Sequence, residues 1–564
     1  MSFTNRKLVD FSQPVNSALA RSGIRLFRDL FAGKTYPHML GGSALVASER
    51  FQSVDPNTPT DVLGTFQCFE PSTMATDAQM AQIHDAHVRW SLMPLAKRVE
   101  VAKTMARLIN ERYWMYVGAL VSEVGKSFAE ADGEVAEAED FARYDAQLAA
   151  NDFALAPEVT LPGVSEFNAT RLVPHGTFLI TIPYNFPFAI GLDMALKALL
   201  AGNAIILSPS DKAAAVGWML YQLFDDALRI CGVADNGLVN FAPSTTQDDH
   251  AMVHALLGHP VTSGLCFTGS SKTFDLLKVN YGCRRRWNGG TLRIGAAETS
   301  GVNALYVDKS ADVDMAARAV MQSFLGISGQ KCSSVRRVIV HQDIIDELFV
   351  KVTKLVDAVE YGDTKEGAYL GALITPQHKK DLEDAIQRCK AAGIAKVAYT
   401  KVICERTPSD FAPRILRANP TILGDDVKLF GLGETEFFGP VCTFIAVSDF
   451  TEAERVFNTS PFALTGGIIS QVEEQITHAI MHFRAGNFYV NRKITGAYVG
   501  SEQFGGLVSR SAESGIPTGP HALAFYYSVK TISGNFPKGA KTDVSFGERS
   551  FYQTMSHHMT FAKR

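Results

Sequence analysis

No two cysteines in this sequence are spaced as CxxC. The eight that exist, at 68, 231, 266, 283, 332, 389, 404 and 442, are scattered singly, which excludes a disulfide framework and a structural zinc site and predicts a reducing compartment, the cytoplasm or alternatively the mitochondrial matrix. No GxGxxG is present, so the usual dinucleotide fingerprint is missing. No apolar run spans a membrane, because the longest, residues 178–207, is broken by Pro183, Asn185, Pro187, Asp193, Lys197 and Asn203. Charge of one sign is lacking too: the formal net charge is −4, giving no reason to expect nucleic acid, and the lone basic run Arg284–Arg286 reads as a solvated turn. Residues 1–35 hold six Lys/Arg against two Asp, a mild echo of a transit peptide, but without the apolar core of a secretory signal; an ordinary helix is expected there. Low-complexity linkers and short repeats are absent, and the adjacent His557 and His558 are too few for a metal site, so no metal is expected.

What is there is an ordinary globular composition, 46% hydrophobic and 20% charged over 564 residues, too long for one core and expected to divide into two or three domains. Residues 80–150 have helical apolar spacing and end in EADGEVAEAEDFARY, which reads as a solvated acidic helix face. Two short β-like runs around Pro162-Gly163 predict a hairpin standing off the body. From 178 the chain alternates strand and helix: TFLITIP, GLDMALKALLAG, AIILSPS, AVGWMLYQLFDDALRI, GLVNFAP and SGLCFTGS. A second series follows, NALYVDK, AARAVMQSFLGI, VRRVIVH, IIDELFVKVTKLVDAV, CTFIAVSDF and TGGIISQ. Continuous apolar strands separated by helices imply βαβ units and parallel sheets, so the fold class is α/β with two such domains. In such sheets ligands sit at the carboxyl ends of strands. The loops SPSD (208–211) and FTGSSKT (267–273) have that placement, although each alone reads as readily as a plain turn.

The stretch SGQKCSS (328–334) sets Cys332 among flexible and polar residues. A lone cysteine is more often a buried thiol than a nucleophile; Asn185, between prolines, equally suits a turn, and Glu298 a helix flank. Their company decides. PYNFP (183–187), LLAGNAIILSPSD (199–211), FTGSS (267–271), AETSGVNALYVDKSAD (297–312), SGQKCSS, EFFGPV (436–441), ALTGGIIS (463–470) and GNFYVNRKITGAYVGSEQFGG (486–506) stand in the order and spacing of one family. From about 38 to 535 the chain resembles the aldehyde dehydrogenase superfamily. The last block, with KSFAEADGEVAEAEDF (126–141), is most similar to the branch that oxidises glutamate γ-semialdehyde, the 1-pyrroline-5-carboxylate dehydrogenases.

That resemblance implies two Rossmann-like parallel-sheet domains with a β-hairpin oligomerisation arm. It places an NAD-binding domain at 1–154 and 174–297, a catalytic domain at 298–485, and the arm with a C-terminal segment at 155–173 and 486–564. It implies Cys332 as the nucleophile toward an aldehyde carbon, Asn185 with the cysteine N–H as oxyanion donors, and Glu298 as the base that hydrolyses the thioester. NAD is the implied cofactor, held by Ser208, Ser210, Asp211, Gly269, Ser270, Glu436 on the nicotinamide ribose and Phe438 beside the ring. Asp211 would repel a 2′-phosphate, favouring NAD over NADP. The implied substrate is a small carboxylated aldehyde gripped by Ser333, Gly496 and Ala497 and walled by Phe186 and Phe504, and a homodimer or larger homo-oligomer is expected. The sequence departs from the family at Ser208 in place of its usual Lys, Tyr184 in place of Trp, Ser300 and Val302 in ETSGVN, and RSAESGIPTGP after FGG. These changes leave open another carboxylated aldehyde, succinic or glutaric semialdehyde, and a non-catalytic protein with a decayed cofactor site.

Overall fold

The computed structural model describes residues 3–68, 75–152, 166–234, 236–245, 250–507, 509–512 and 518–535. Its first large sheet runs, across the hydrogen bonds, Arg293–Glu298, Thr262–Thr268, Thr177–Ile182, Ala204–Pro209, Val239–Phe241, His38–Leu40 and Ser43–Leu45. The first five are mutually parallel and the last two antiparallel. TFLITI and AIILSP are buried at every position, as strands covered by helices on both faces must be. The covering helices include Ala189–Leu200 and Ala214–Ile230, both foreseen by periodicity.

A second seven-stranded sheet runs Ala395–Thr400, Arg414–Ala418, Val441–Val447, Val335–His341, Asn303–Val307, Thr465–Ile469 and Asn487–Val490. All neighbours are parallel except the first pair. One apolar core gathers residues from Ala20 to Ala297 and adds Val499, Leu523 and Tyr526; three smaller ones lie between Ala304 and Ile494. Because Asn487–Val490 closes the second sheet, the expected arm and C-terminal segment, taken from 486, begin inside that sheet.

Two expectations are altered. The N-terminal helix is Pro14–Phe31, as read, but the acidic stretch is not solvated. It forms the helix Phe128–Asp152, in which Asp132, Glu134, Asp140 and Asp145 are buried. Each has work inside: Asp140 accepts from Asn5 and the Arg6 N–H, and Asp145 lies 3.6 Å from Lys197. Arg286 of the basic run is also buried, donating to the carbonyls of Leu257, His259 and Tyr281. Of the expected hairpin, residues 153–165 lie outside the described residues, and the strand Glu166–Pro174 pairs antiparallel with the distant Tyr527–Asn535. Residues 536–564, with His557 and His558, lie outside them as well. Among the described residues no helix is long and apolar enough to cross a membrane.

Glu134 is the charged pivot of this packing. Its carboxylate accepts the N–H groups of Phe188 (2.8 Å) and Ala189 (3.1 Å) at the start of a helix, and it pairs with the fully buried Lys126. A carboxylate there meets both unsatisfied helix-start donors and the positive end of the helix dipole. Glu134→Ala strands a buried ammonium and is expected to cost about 3–5 kcal/mol, read as a fall in the urea midpoint, whereas Lys126→Met with Glu134→Gln recovers most of the loss.

Candidate active site

Four neighbouring parallel strands of the first sheet release their carboxyl ends at one edge. Arg293–Glu298 ends on Glu298. Thr262–Thr268 leads to Gly269 and Ser270, Thr177–Ile182 to Tyr184, Asn185 and Phe186, and Ala204–Pro209 to Ser210 and Asp211. Parallel order therefore gathers on one rim residues that the sequence spreads from 184 to 298. The second sheet offers the amino ends of its strands: Cys332 and Ser333 precede Val335–His341, and Glu436 and Phe438 precede Val441–Val447.

The loop before Cys332 is strained. Ile327 (φ 49°), Ser328 (φ 49°) and Gly329 (φ 73°) follow one another in left-handed backbone, which costs a β-branched residue most. The surroundings over-determine it. Glu130 accepts the Ile327 N–H at 2.7 Å, Ser328 bonds both ways with Gly371, and a side chain on Gly329 would strike the Gly439 carbonyl at 2.0 Å. The buried Arg336 donates to Gly329 O (2.8 Å), Lys331 O (3.0 Å) and Gly439 O (2.8 Å), and its guanidinium lies 5.9 Å from the Phe438 ring. Burial lowers its affinity for a proton to about 10, against the pull of Glu436 and Cys332.

Cys332, Glu298 and Glu436 feel one another. Burial, then the carboxyls of Glu298 and Glu436, push the Cys332 thiol up to about 12, while the N–H groups of Ser333 and of Cys332 itself pull the other way. Burial raises Glu298 to about 8, opposed by the Gly506 N–H at 3.4 Å, and its second oxygen has no hydrogen-bond partner among the described residues. A buried carboxyl with an unused oxygen is poised to exchange a proton with water or substrate. Glu436 is raised by burial, accepts the Gly301 N–H at 2.9 Å and is bonded by Ser300. Asn303 clasps the Cys332 and Ser334 carbonyls at 2.6 and 2.8 Å. Asn185, buried, gives one N–H to the Gln330 carbonyl at 2.9 Å, and Tyr184 bonds the Gln330 side chain at 3.1 Å. An amide carries two N–H groups, so this bond moors Asn185 beside the Cys332 loop and leaves the second.

The expected cofactor residues divide into two sets. Ser208 is buried and its hydroxyl has no partner among the described residues. Ser270 caps the eleven-residue helix Ser271–Tyr281 without using its side chain, and a side chain on Gly269 would press the Phe267 ring at 2.9 Å. Phe438 stands edge-on to Tyr184 and His378 at 6.2 and 5.9 Å. An orphan hydroxyl, a helix start without a side-chain cap and a glycine with no room for a side chain suit a phosphate-bearing ligand. Ser210 and Asp211 are instead engaged within their own turn. Ser210 caps Lys212 N, and Asp211 pairs with Lys212 at 2.8 Å and accepts from Thr245 at 3.3 Å, so its charge is already matched and its repulsion of a 2′-phosphate weakened.

Around the expected carboxylate anchor, Ser333 is buried and shares a 2.9 Å bond with Thr495. Gly496 (φ +80°) lies so that a side chain on it would start 3.5 Å from the Lys493 ammonium. Ala497 and Phe504 line one cleft with Glu137, Phe141, Tyr144 and Asp145. Phe186 lies under two ammonium groups, Lys126 at 3.7 Å and Lys331 at 5.6 Å. Sequence reading missed Lys126, Glu130, Glu137, Lys331 and Lys493. The signal was present: Glu130, Glu134 and Glu137 recur at helical spacing on one face, and three lysines elsewhere are their complements. Burial pushes Glu137 up to about 8, helped by Glu134; burial, with Lys331 and Arg492 nearby, lowers Lys493. The departing segment 509–512 lies directly on the site: Ala512 bridges Glu298, and Ser511 donates to the Ser300 carbonyl at 2.8 Å.

Comparison with known proteins agrees with this geometry. The model of the aldehyde dehydrogenase family matches residues 45–532. The 1-pyrroline-5-carboxylate dehydrogenases of Bacillus cytotoxicus and Bacillus cereus are each 28% identical over 538 residues, 94% of this chain and 99% of theirs. The crystal structure of a 1-pyrroline-5-carboxylate dehydrogenase from Thermus with bound NAD superposes with a TM-score of 0.85 at 30% identity, covering 95% of this chain and 99% of that one. Proline utilization A from Bdellovibrio bacteriovorus, inactivated by N-propargylglycine, does so at 0.84 and 26%, covering 95% of this chain and 53% of that longer one. With its sheets, its motifs and nearly its whole length in common with these proteins, the chain belongs to the aldehyde dehydrogenase family.

Proposed function

We propose that this protein oxidises L-glutamate γ-semialdehyde, the open form of 1-pyrroline-5-carboxylate, to L-glutamate, with NAD as the oxidant, as a step of proline breakdown. The observation that carries the reading is the closeness of Cys332 to the carboxyls of Glu298 and Glu436, which both act on its thiol, with Ser333, Thr495 and Gly496 adjoining. The near full-length likeness to 1-pyrroline-5-carboxylate dehydrogenases supports the substrate.

In this reading the Cys332 sulfur gives its proton to the ionised Glu298 carboxylate, which passes it to solvent, and adds to the aldehyde carbon, and the second N–H of Asn185 and the Cys332 N–H hold the oxygen that becomes anionic. One such donor is worth roughly 3 kcal/mol. NAD would be held by Ser208, Gly269 and Ser270 on its phosphate and adenosine side and by Glu436 and Phe438 near the nicotinamide; what it supplies when bound is a hydride acceptor. The carbon is then a thioester on Cys332. Glu298 takes a proton from water, the water oxygen bonds to the carbonyl, the C–S bond breaks and the sulfur recovers a proton. Ser333, the N–H groups at Gly496 and Ala497, and the ammonium groups of Lys331 and Lys493 face the substrate carboxylate, while Phe186 and Phe504 flank its chain. A site with that many donors discriminates against aldehydes lacking the charge, because its own groups then go unpaired. The core from Ala20 to Ala297 is the proposed cofactor-binding unit and those beyond Ala304 the catalytic unit. Its eight free cysteines suit the cytoplasm.

Assayed by NADH formation, 1-pyrroline-5-carboxylate is expected to exceed succinic semialdehyde and propanal in kcat/KM, and Cys332→Ala to abolish the reaction; equal rates on propanal would refute the carboxylate anchor. The base in hydrolysis works only when ionised, and Glu298 is raised to about 8, so thioester hydrolysis is expected to accelerate as pH rises through about 8. Glu298→Gln is expected to flatten that limb and lower kcat by roughly 10²–10⁴; stopped-flow measurement of the acyl-enzyme across pH 6–10 reads both.

Assembly into a homodimer or larger oligomer belongs to the same proposal. The ribbon formed by Glu166–Pro174 and Tyr527–Asn535 leaves Val173 and Val529 exposed, the kind of edge proteins cover. Val173→Asp with Val529→Asp is expected to shift sedimentation toward the monomer; an unchanged profile would remove the ribbon from the interface.

A further inference from the structure

We infer that Glu454, His478 and His482 form a binding site for a divalent transition metal of the zinc class, clipping together two helices of the second sheet. Glu454 lies on Phe450–Asn458, and the two histidines lie one turn apart on Glu473–His482, at the carboxyl end of that helix. Both helices pack on one face of the sheet, contributing Ala453, Val456, Phe457 and Ala479 to the same apolar core. One ligand atom from each of the three side chains lies within 4.8 Å of the others. The Glu454 carboxylate meets His478 Nε2 at 2.9 Å, and the imidazole centroids are 4.3 Å apart. Zinc bonds of about 2.0–2.2 Å need ligand atoms closer than the widest of these spacings, a contraction within reach of side-chain rotation.

The scaffold is held independently of any ion. Asn458 donates to the His482 carbonyl at 3.0 Å and accepts the Arg484 N–H at 2.9 Å, tying the ends of the two helices. Phe450 stands edge-on to His478 at 5.4 Å and stacks on Phe483 at 5.7 Å. Two imidazoles and one carboxylate are a donor set suited to zinc, with partial exposure leaving a further position for water. The helix carboxyl end adds favourable potential for a cation. None of this was visible in the sequence, where Glu454 and His478 stand 24 residues apart.

The test titrates zinc chloride into the untagged full chain, carried on a Cys332→Ser background so that the reactive sulfur does not compete. One equivalent is expected to bind and to raise the melting temperature. His482→Ala and Glu454→Gln are each expected to weaken binding at least tenfold and to abolish the thermal shift, while melting like the parent without zinc. Diffraction at the zinc edge is expected to place the ion between the two helices. Unchanged affinity in His478→Ala/His482→Ala, or an anomalous peak only elsewhere, would overturn the inference.

Discussion

A single buried guanidinium sets the geometry on which the rest depends. Arg336 collects carbonyls from Gly329, Lys331 and Gly439, joining the loop that carries Cys332 to the loop that carries Glu436 and Phe438. Together with Glu130 and the Ser328–Gly371 bonds it holds the left-handed residues 327–329, where Ile327 and Ser328, being non-glycine, each cost of order 1–3 kcal/mol. Arginine suits the task because its planar fork feeds several acceptors at once and stays protonated where a lysine would be tempted to discharge. The Cys332 loop is thus tied to the loop before Val441–Val447, and Asn185, at a strand end of the first sheet, meets it through the Gln330 carbonyl.

The helix Phe128–Asp152 does the complementary work from the other side. Glu130 reaches the strained loop and Lys331, while Glu134 starts the helix behind Asn185 and neutralises Lys126. Asn185 and the Cys332 loop are therefore both indexed to one rod of secondary structure. Buried charges of this density stabilise little by themselves; what they confer is the relative position of the elements they join.

Much of this was legible and some was not, for physical reasons. TFLITI and AIILSP announce doubly covered parallel strands because no polar face is needed, and the order of strand and helix then dictates which loops share an edge. That is why Glu298, Ser270 and Asn185 assemble on one rim. The acidic helix was misread because periodicity reports a charged face and not what faces it; partners scattered along the chain, among them Arg6, Lys126, Lys197 and Lys331, make that helix interior. Arg286 was misread for the same reason, as its partners are carbonyls, which every residue has. The pairing of Glu166–Pro174 with Tyr527–Asn535 has no local signal, because cross-strand partners hundreds of residues apart leave no periodic trace. Asp211 was legible as an acid, but its match with Lys212 was not weighed, though the two are adjacent.

The resting state of Cys332 has a bearing beyond turnover. Peroxide and alkylating compounds attack thiolates far faster than thiols, and burial with the carboxyls of Glu298 and Glu436 pushes this thiol up to about 12. The surroundings that make the proposed nucleophile reluctant therefore also make it a slower target for oxidants than an exposed cysteine.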